Sequence, residues 1–273
     1  MSDQKQKAIA FRALHTRSGA FVIPNPWDAG TAKILTKLGF EALATTSAGL
    51  AFSLGRGDGA AGREETLANA KAIVQATHLP VAADLENGFG EAPEMAAETI
   101  RLAIGVGLAG GSIEDASGDS AKPIYEFNLA VDRVAAAVEA VRGEDIPFTL
   151  TARAENFLHG RADLDDTIKR LRAFEKAGAD VLYAPGLPSL KAIKEVCSAV
   201  TRPVNVLAGP GFTLKQLEDA GVKRVSIGSA LCLSALAAFA KSAHEIKDFG
   251  TFNFAKDAYP FGEINKLMKE EPR

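Results

Sequence analysis

Five acidic residues fall where apolar runs give out: Asp58 in GRGDG, Asp84 and Glu86 in VAADLENGFG, and Glu114 and Asp115 in GSIEDASG. A carboxylate at the end of a buried strand is costly to desolvate unless a cation or a basic group faces it. Acids delivered to one place by separate strands are donors for a divalent metal. Hard oxygen ligands without Cys or His nearby favour Mg²⁺ or Mn²⁺ over zinc. A second constellation lies in TLTARAEN, where Arg153 and Glu155 stand two apart and Asn156 follows. A guanidinium among carboxylates can hold a substrate carboxylate bidentately while a metal engages the other end. It can equally serve only to neutralise Glu114 or Glu155. The residue types read as those of an enzyme.

The elements that would position these groups recur along the whole chain. Eight short runs rich in Val, Ile, Leu, Phe and small residues begin at Phe21, Ala42, Pro80, Gly110, Pro147, Ala179, Pro203 and Arg224. Continuous apolar strands suit a parallel sheet covered on both faces. The intervening segments, such as AGTAKILTKLGF and LDDTIKRLRAFEKAGAD, carry apolar residues at helical spacing. Gly39, Gly178 and Gly221 fall where helix C-caps are expected. Eight β–α units imply an α/β fold, a closed (β/α)₈ TIM-type barrel. An open doubly wound sheet is the alternative, but no GxGxxG opens a helix after the first strand. No linker or low-complexity tract divides the chain, so residues 1–273 read as a single barrel domain. Its last part, from about 241 to 273, reads as a C-terminal helical extension whose Phe residues need burial.

In such barrels the active site lies at the C-terminal ends of the strands. After strand 2, Ser47, Ala48 and Gly49 could offer backbone N–H groups to an anionic oxygen. Strand alternation points Asp84 and Glu86 to the same side, into the mouth. His159, in HGRADLDD, reads as exposed, and His78 as structural at the far end of the barrel. The glycines of LAGPGF and IGSAL resemble a phosphate cradle, a rival that leaves the acids unexplained. No lysine stands at a strand end, which disfavours a Schiff base.

Composition bounds the class. Of 273 residues, 47% are apolar and 24% charged, and a net charge of -3 gives no footprint for nucleic acid. No run approaches a membrane span, and Ser229 to Ala240 reads as a buried helix. Cys197 and Cys232 lack metal or redox spacing and read as reduced core cysteines. The N-terminus carries no signal-peptide pattern, and the expectation is a soluble, cytoplasmic protein.

Taken together, SAGL followed by Asp58, the segment ADLENGFG, IED on strand 4 and ARAEN on strand 5 resemble the isocitrate lyase / phosphoenolpyruvate mutase superfamily. The likeness spans roughly residues 10 to 240. It implies a barrel mouth holding Mg²⁺ and a small 2-oxo acid or its enol. Carried over, Asp84 would be the direct metal ligand, with Asp58, Glu86 and Glu114 acting mostly through water. Ser47 to Gly49, with Arg153, Glu155 and Asn156, would hold the substrate. The usual Asp-x-Asp is here Asp84-x-Glu86. The resemblance also implies a homotetramer, or a dimer, in which a C-terminal helix crosses to a neighbour. One departure bears on the reaction. Isocitrate and methylisocitrate lyases carry Lys-Lys-Cys-Gly-His after strand 4, whereas ASGDSAKPIYEFN, residues 116–128, has neither Cys nor His. Neither of those activities is expected. Asp119, Lys122 and Tyr125 are the available acid–base candidates of this loop, alongside Arg153 in the mouth. The reading is a Mg²⁺-dependent lyase or hydrolase of a small 2-oxo or 2-hydroxy di- or tricarboxylic acid. Phosphonate mutase or hydrolase chemistry, and 2-oxo-acid binding without turnover, are the alternatives.

Overall fold

A computed structural model describes residues 3–271. Its core is one sheet of eight parallel strands, one from each apolar run read in the sequence. They are β1 (Phe21–Ile23), β2 (Leu43–Ala44), β3 (Val81–Asp84), β4 (Gly110–Glu114), β5 (Thr149–Arg153), β6 (Val181–Tyr183), β7 (Val204–Leu207) and β8 (Arg224–Ser226). The ladder runs β1-β8-β7-β6-β5-β4-β3-β2. The remaining seam, between β1 and β2, is tied rather than laddered. Ala44 N–H donates to Pro24 O at 3.1 Å, and Asn25 Nδ2 donates to Thr45 O at 3.1 Å. The result is the expected (β/α)₈ barrel.

Helix α1 (Asp3–Thr16) lies over the N-terminal ends of the strands, where Ala8 and Phe11 pack with Phe21, Ile23, Ala42, Ala82 and Ala109. The outer ring comprises α2 (Ala29–Lys37), α3 (Ser47–Ser53), α4 (Arg63–Gln75), α5 (Pro93–Gly105), α6 (Phe127–Arg142), α7 (Leu164–Ala177), α8 (Leu190–Ala199), α9 (Leu214–Asp219) and α10 (Ala230–Phe249). Gly178 closes α7 with φ +111°, as its place after the helical pattern suggested. At the first two positions of β4, side chains are excluded by crowding. A Cβ on Gly110 would stand 2.7 Å from the Phe11 ring, and one on Gly111 2.8 Å from Leu85 Cδ1.

The C-terminal segment departs from expectation. The apolar pattern of Ser229 to Ala240 predicts a buried helix, but in α10 only Cys232 is buried. Leu233, Leu236 and Phe239 face outward, as do Ile246 and Phe249 further along, and Phe239 is 74% exposed. Small apolar residues signal burial without saying against what, and the barrel presents nothing to this face. After α10 come a 3₁₀ turn (Asn253–Asp257) and α11 (Phe261–Lys269), which packs on α2 through Leu267 but leaves Phe261 81% exposed. Among the described residues, no helix is long and apolar enough to cross a membrane.

Candidate active site

Three strand ends set the centre. Asp84 closes β3, Glu114 closes β4 and Arg153 closes β5, with Glu114 and Arg153 as register partners. The Arg153 guanidinium touches three carboxylates, each at 2.8 Å: Nη1 to Asp84 Oδ1, Nη2 to Glu114 Oε2 and Nε to Glu155 Oε1. The guanidinium also lies 5.3 Å from the Tyr183 ring centroid. Burial alone would lower the Arg153 pKa, yet Glu114, Glu155 and Asp84 hold it well above its usual value. The other oxygen of Asp84 accepts from Ser47 Oγ at 2.8 Å.

Glu86 reaches the same place by a different route from strand alternation. β3 stops at Asp84, and Glu86 adopts φ +48° in a turn closed by Gly88 N–H donating to Leu85 O at 2.8 Å. Phe89 is also left-handed, at φ +61°. Non-glycine residues are seldom held there without compensation. Part of it comes from Arg133 of α6, a buried guanidinium that donates to the carbonyls of Asn87, Gly90 and Glu91. Glu86 Oε1 is buried with no hydrogen-bond partner. Burial, then the nearby charges of Asp84 and Asp58, push Glu86 up to about 7. Burial likewise raises Glu114 well above the carboxylate range, against the pull of Arg153. Asp58 lies in the exposed loop after α3 and is raised in the same sense by desolvation and by Asp84.

Asp58, Asp84, Glu86 and Glu114 thus surround one mouth together with Glu155, and these acids outnumber the Arg153 cation. Asp58, Asp84, Ser47, Ala48 and Arg153 line a cavity of 190 Å³. Asp58, Glu86, Glu114, Glu155 and His159 line a wider, open groove beside it. Among the described residues, no three His, Cys, Asp or Glu side chains converge as a ready metal cage; Arg153 lies between the carboxylates instead. An orphaned buried carboxylate oxygen beside three more acids nevertheless fits a divalent cation held largely through water.

Other candidates are placed elsewhere. Gly49 is buried behind the mouth. Its N–H is taken by Thr46 Oγ1 at 3.2 Å, and a Cβ there would meet Thr46 Cγ2 at 2.6 Å, so packing accounts for this glycine. Asn156 turns away from the mouth: its Nδ2 donates to Asp166 Oδ2 at 2.8 Å, the oxygen that also takes Arg170 Nε at 2.8 Å. Arg170 also binds Asp115 at 3.0 Å, and Asp115 in turn accepts the N–H of Glu155 at 2.8 Å. This network braces the β5 end from behind, and burial raises Asp115 to about 6. Tyr125 is buried, its hydroxyl accepting from Asn87 at 3.3 Å and its ring stacked under Arg133. Asp119 and Lys122 stand exposed at the tip of a loop folded on itself by an Ala116–Ile124 bridge. His159 sits on the groove wall, and His78 lies apart, near Lys33 and Lys266. Sequence reasoning passed over the polar interior of the barrel: Thr45, Tyr183, Asn205, Arg224 and Ser226 all line the cavity. The available signal was the polar residue interrupting some of the apolar runs, as in PVNVL and RVSIG.

A family model described as phosphoenolpyruvate phosphomutase matches residues 11–247. The chain belongs to the phosphoenolpyruvate mutase / isocitrate lyase superfamily. It is 30% identical to the 2-methylisocitrate lyase of Escherichia coli K12, over 78% of this chain and 75% of that one. A crystal structure from Burkholderia cenocepacia J2315, described as a candidate lyase/mutase, superposes with a TM-score of 0.96 at 55% identity, covering 99% and 98% of the two chains. Oxaloacetate acetylhydrolase in complex with its product oxalate superposes with a TM-score of 0.86 at 25% identity, covering 96% and 93%. The family therefore includes both carbon–carbon bond-cleaving enzymes and phosphomutases.

Proposed function

We propose that the protein is a divalent-cation-dependent lyase or hydrolase that cleaves a C–C bond in a small 2-oxo or 2-hydroxy di- or tricarboxylic acid. The observation that carries this reading is the unpartnered Glu86 Oε1, buried in a mouth that Asp58 also lines and where Asp84 and Glu114 bind the Arg153 guanidinium. Asp84 would hold Mg²⁺ directly, and Asp58, Glu86 and Glu114 would hold it through water. When bound, the cation supplies electrophilic stabilisation of the enolate left as the bond breaks.

The chain's own groups do the rest. Arg153 commits three of its five N–H donors to Glu155, Asp84 and Glu114, which leaves two for a substrate carboxylate. Ser47 and Ala48 line the same cavity, where their backbone N–H groups would meet a substrate oxygen. Glu155 fixes Arg153 through Nε, and the Asp115–Arg170 pair fixes Glu155. For proton transfer, Asp119 and Lys122 would have to swing inward as the β4 loop closes, excluding water. His159 already faces the groove and is a third candidate. Tyr125 would act by orienting Asn87. The loop's lack of Cys and His argues against isocitrate or methylisocitrate cleavage.

The matching family description supports a second reading, rearrangement or hydrolysis of a C–P bond in a phosphonate at the same site. Incubating the Mg²⁺-loaded protein with a panel of 2-oxo and 2-hydroxy acids and with phosphonopyruvate, followed by proton and phosphorus NMR, separates the two. Consumption of a carbon acid, lost in Asp84→Ala, supports the first reading. Phosphorus signals moving between phosphonate and phosphate esters favour the second. Cation-dependent oxalate binding with no consumption would leave a binding protein. The apolar outer face of α10 and the exposed Phe252 and Phe261 would be covered by further copies of this chain, as a dimer or tetramer. A cytoplasmic setting agrees with two unpaired cysteines.

A further inference from the structure

The cavity beneath the mouth does not end at Arg153. Its lining continues to Ala82, Gly111, Thr151, Asn205 and Arg224, each of which precedes the C-terminal end of its own strand and so lies deeper in the barrel. Arg224, 6% exposed, reaches from β8 across to β5. Its Nε donates to Asn205 Oδ1 at 2.9 Å and its Nη2 to Thr151 Oγ1 at 2.9 Å, while Nη1 meets His15 Nε2 at 3.3 Å. His15 Nδ1 faces the Phe11 carbonyl at 2.8 Å, which can only accept. Nδ1 therefore carries the proton, and Nε2 takes the hydrogen bond from Arg224 as an uncharged acceptor. Burial, then the Arg224 charge, lowers His15 to about 3, so the ring stays neutral.

Every partner of Arg224 is thus uncharged, and among the described residues no carboxylate pairs with it. A buried cation without a counter-charge is expensive. The neighbouring arginines Arg153 and Arg170 are arranged differently, each bound to carboxylates of the chain itself. Arg224 retains two N–H donors, and the hydroxyls of Thr45, Ser226 and Tyr183 line the same space. At 190 Å³ the cavity is below the ~300–1,000 Å³ of drug-sized sites and suits a short acid.

We propose that this interior is an anion subsite in which Arg224 binds the far carboxylate of a short dicarboxylic acid whose 2-oxo-acid end lies at the Arg153–Asp84 mouth. The assignment rests on the function proposed above and narrows its substrate class. The acidic mouth repels a second carboxylate, and the basic floor draws it inward, which orients the molecule along the barrel axis. The test is calorimetry on the Mg²⁺-loaded protein with pairs differing only at the far end: 2-oxoglutarate against 2-oxopentanoate, and oxaloacetate against 2-oxobutanoate. At least one diacid should bind about tenfold tighter than its partner, and Arg224→Gln should erase the preference. Arg224→Lys, which keeps the charge, should retain part of it. Equal affinities within both pairs, or a preference that survives Arg224→Gln, overturn the subsite. Oxalate titrated into the wild-type protein reports the mouth alone, so its failure to bind counts against the proposed function. Bromide-soaked wild-type crystals read the floor independently of the mouth. An anomalous peak at the Arg224 guanidinium supports the subsite, and only water there overturns it.

Discussion

Replacing Arg153 by methionine removes, among the described residues, the one cation in contact with Asp84, Glu114 and Glu155, all at 2.8 Å, while keeping a side chain of similar reach. Breaking a buried ion pair from one side costs about 3–5 kcal/mol, because the other charge stays behind without compensation. Glu114 can escape part of that cost by taking up a proton. Burial already raises Glu114 well above the carboxylate range with Arg153 present, and removing the guanidinium raises it further. A carboxyl whose folded pKa exceeds its unfolded value binds more protons when folded. Stability is then undiminished below the unfolded pKa and falls as pH rises toward the folded one. The variant's deficit should therefore be smallest at acid pH, where Glu114 is protonated with or without the guanidinium, and should grow toward about 3–5 kcal/mol as pH rises. Urea unfolding followed by circular dichroism, with EDTA present and protein concentration fixed, measures it. A variant within about 0.5 kcal/mol of wild type near pH 8, or a deficit that shrinks as pH rises, would refute the view that Arg153 compensates buried charge.

Two further perturbations probe the surroundings. Arg133→Ala leaves the carbonyls of Asn87, Gly90 and Glu91 without their donor, at about 1–3 kcal/mol for each one left buried. Hydrogen exchange across residues 87–92 should accelerate selectively, and unchanged protection there would show that the left-handed turn at Glu86 holds without the arginine. Phe249→Asp with Phe261→Asp alters side chains that are 76% and 81% exposed, so an isolated subunit should lose no more than about 0.5 kcal/mol. Light scattering should instead report a smaller assembly, and an unchanged mass would rule out this surface as an interface.

The barrel was legible because each strand is a short apolar run bounded by turn residues, and those runs depend little on distant partners. The acids at strand ends were legible for the same reason, since position along a strand fixes position in the barrel. Glu86 shows the limit: its location was anticipated from alternation, yet a left-handed turn braced by Arg133 of α6 puts it there. Asn156 and Tyr125 looked equivalent to their neighbours in sequence. Their directions are set by Asp166 and Asn87, partners from other segments that no local pattern reveals. Arg224 reads as an ordinary charge opening a strand, and only closure of the barrel places it in the interior. For α10, the sequence contains the apolar face but not its partner.

Crystals grown with Mn²⁺ and oxalate, recorded at the manganese edge, report whether a divalent ion sits among the mouth carboxylates. An anomalous peak should stand beside Asp84, with waters linking it to Asp58, Glu86 and Glu114 and oxalate bound to the same ion. A mouth that binds oxalate on Arg153 alone, with no metal near the β3 aspartate, would contradict that placement.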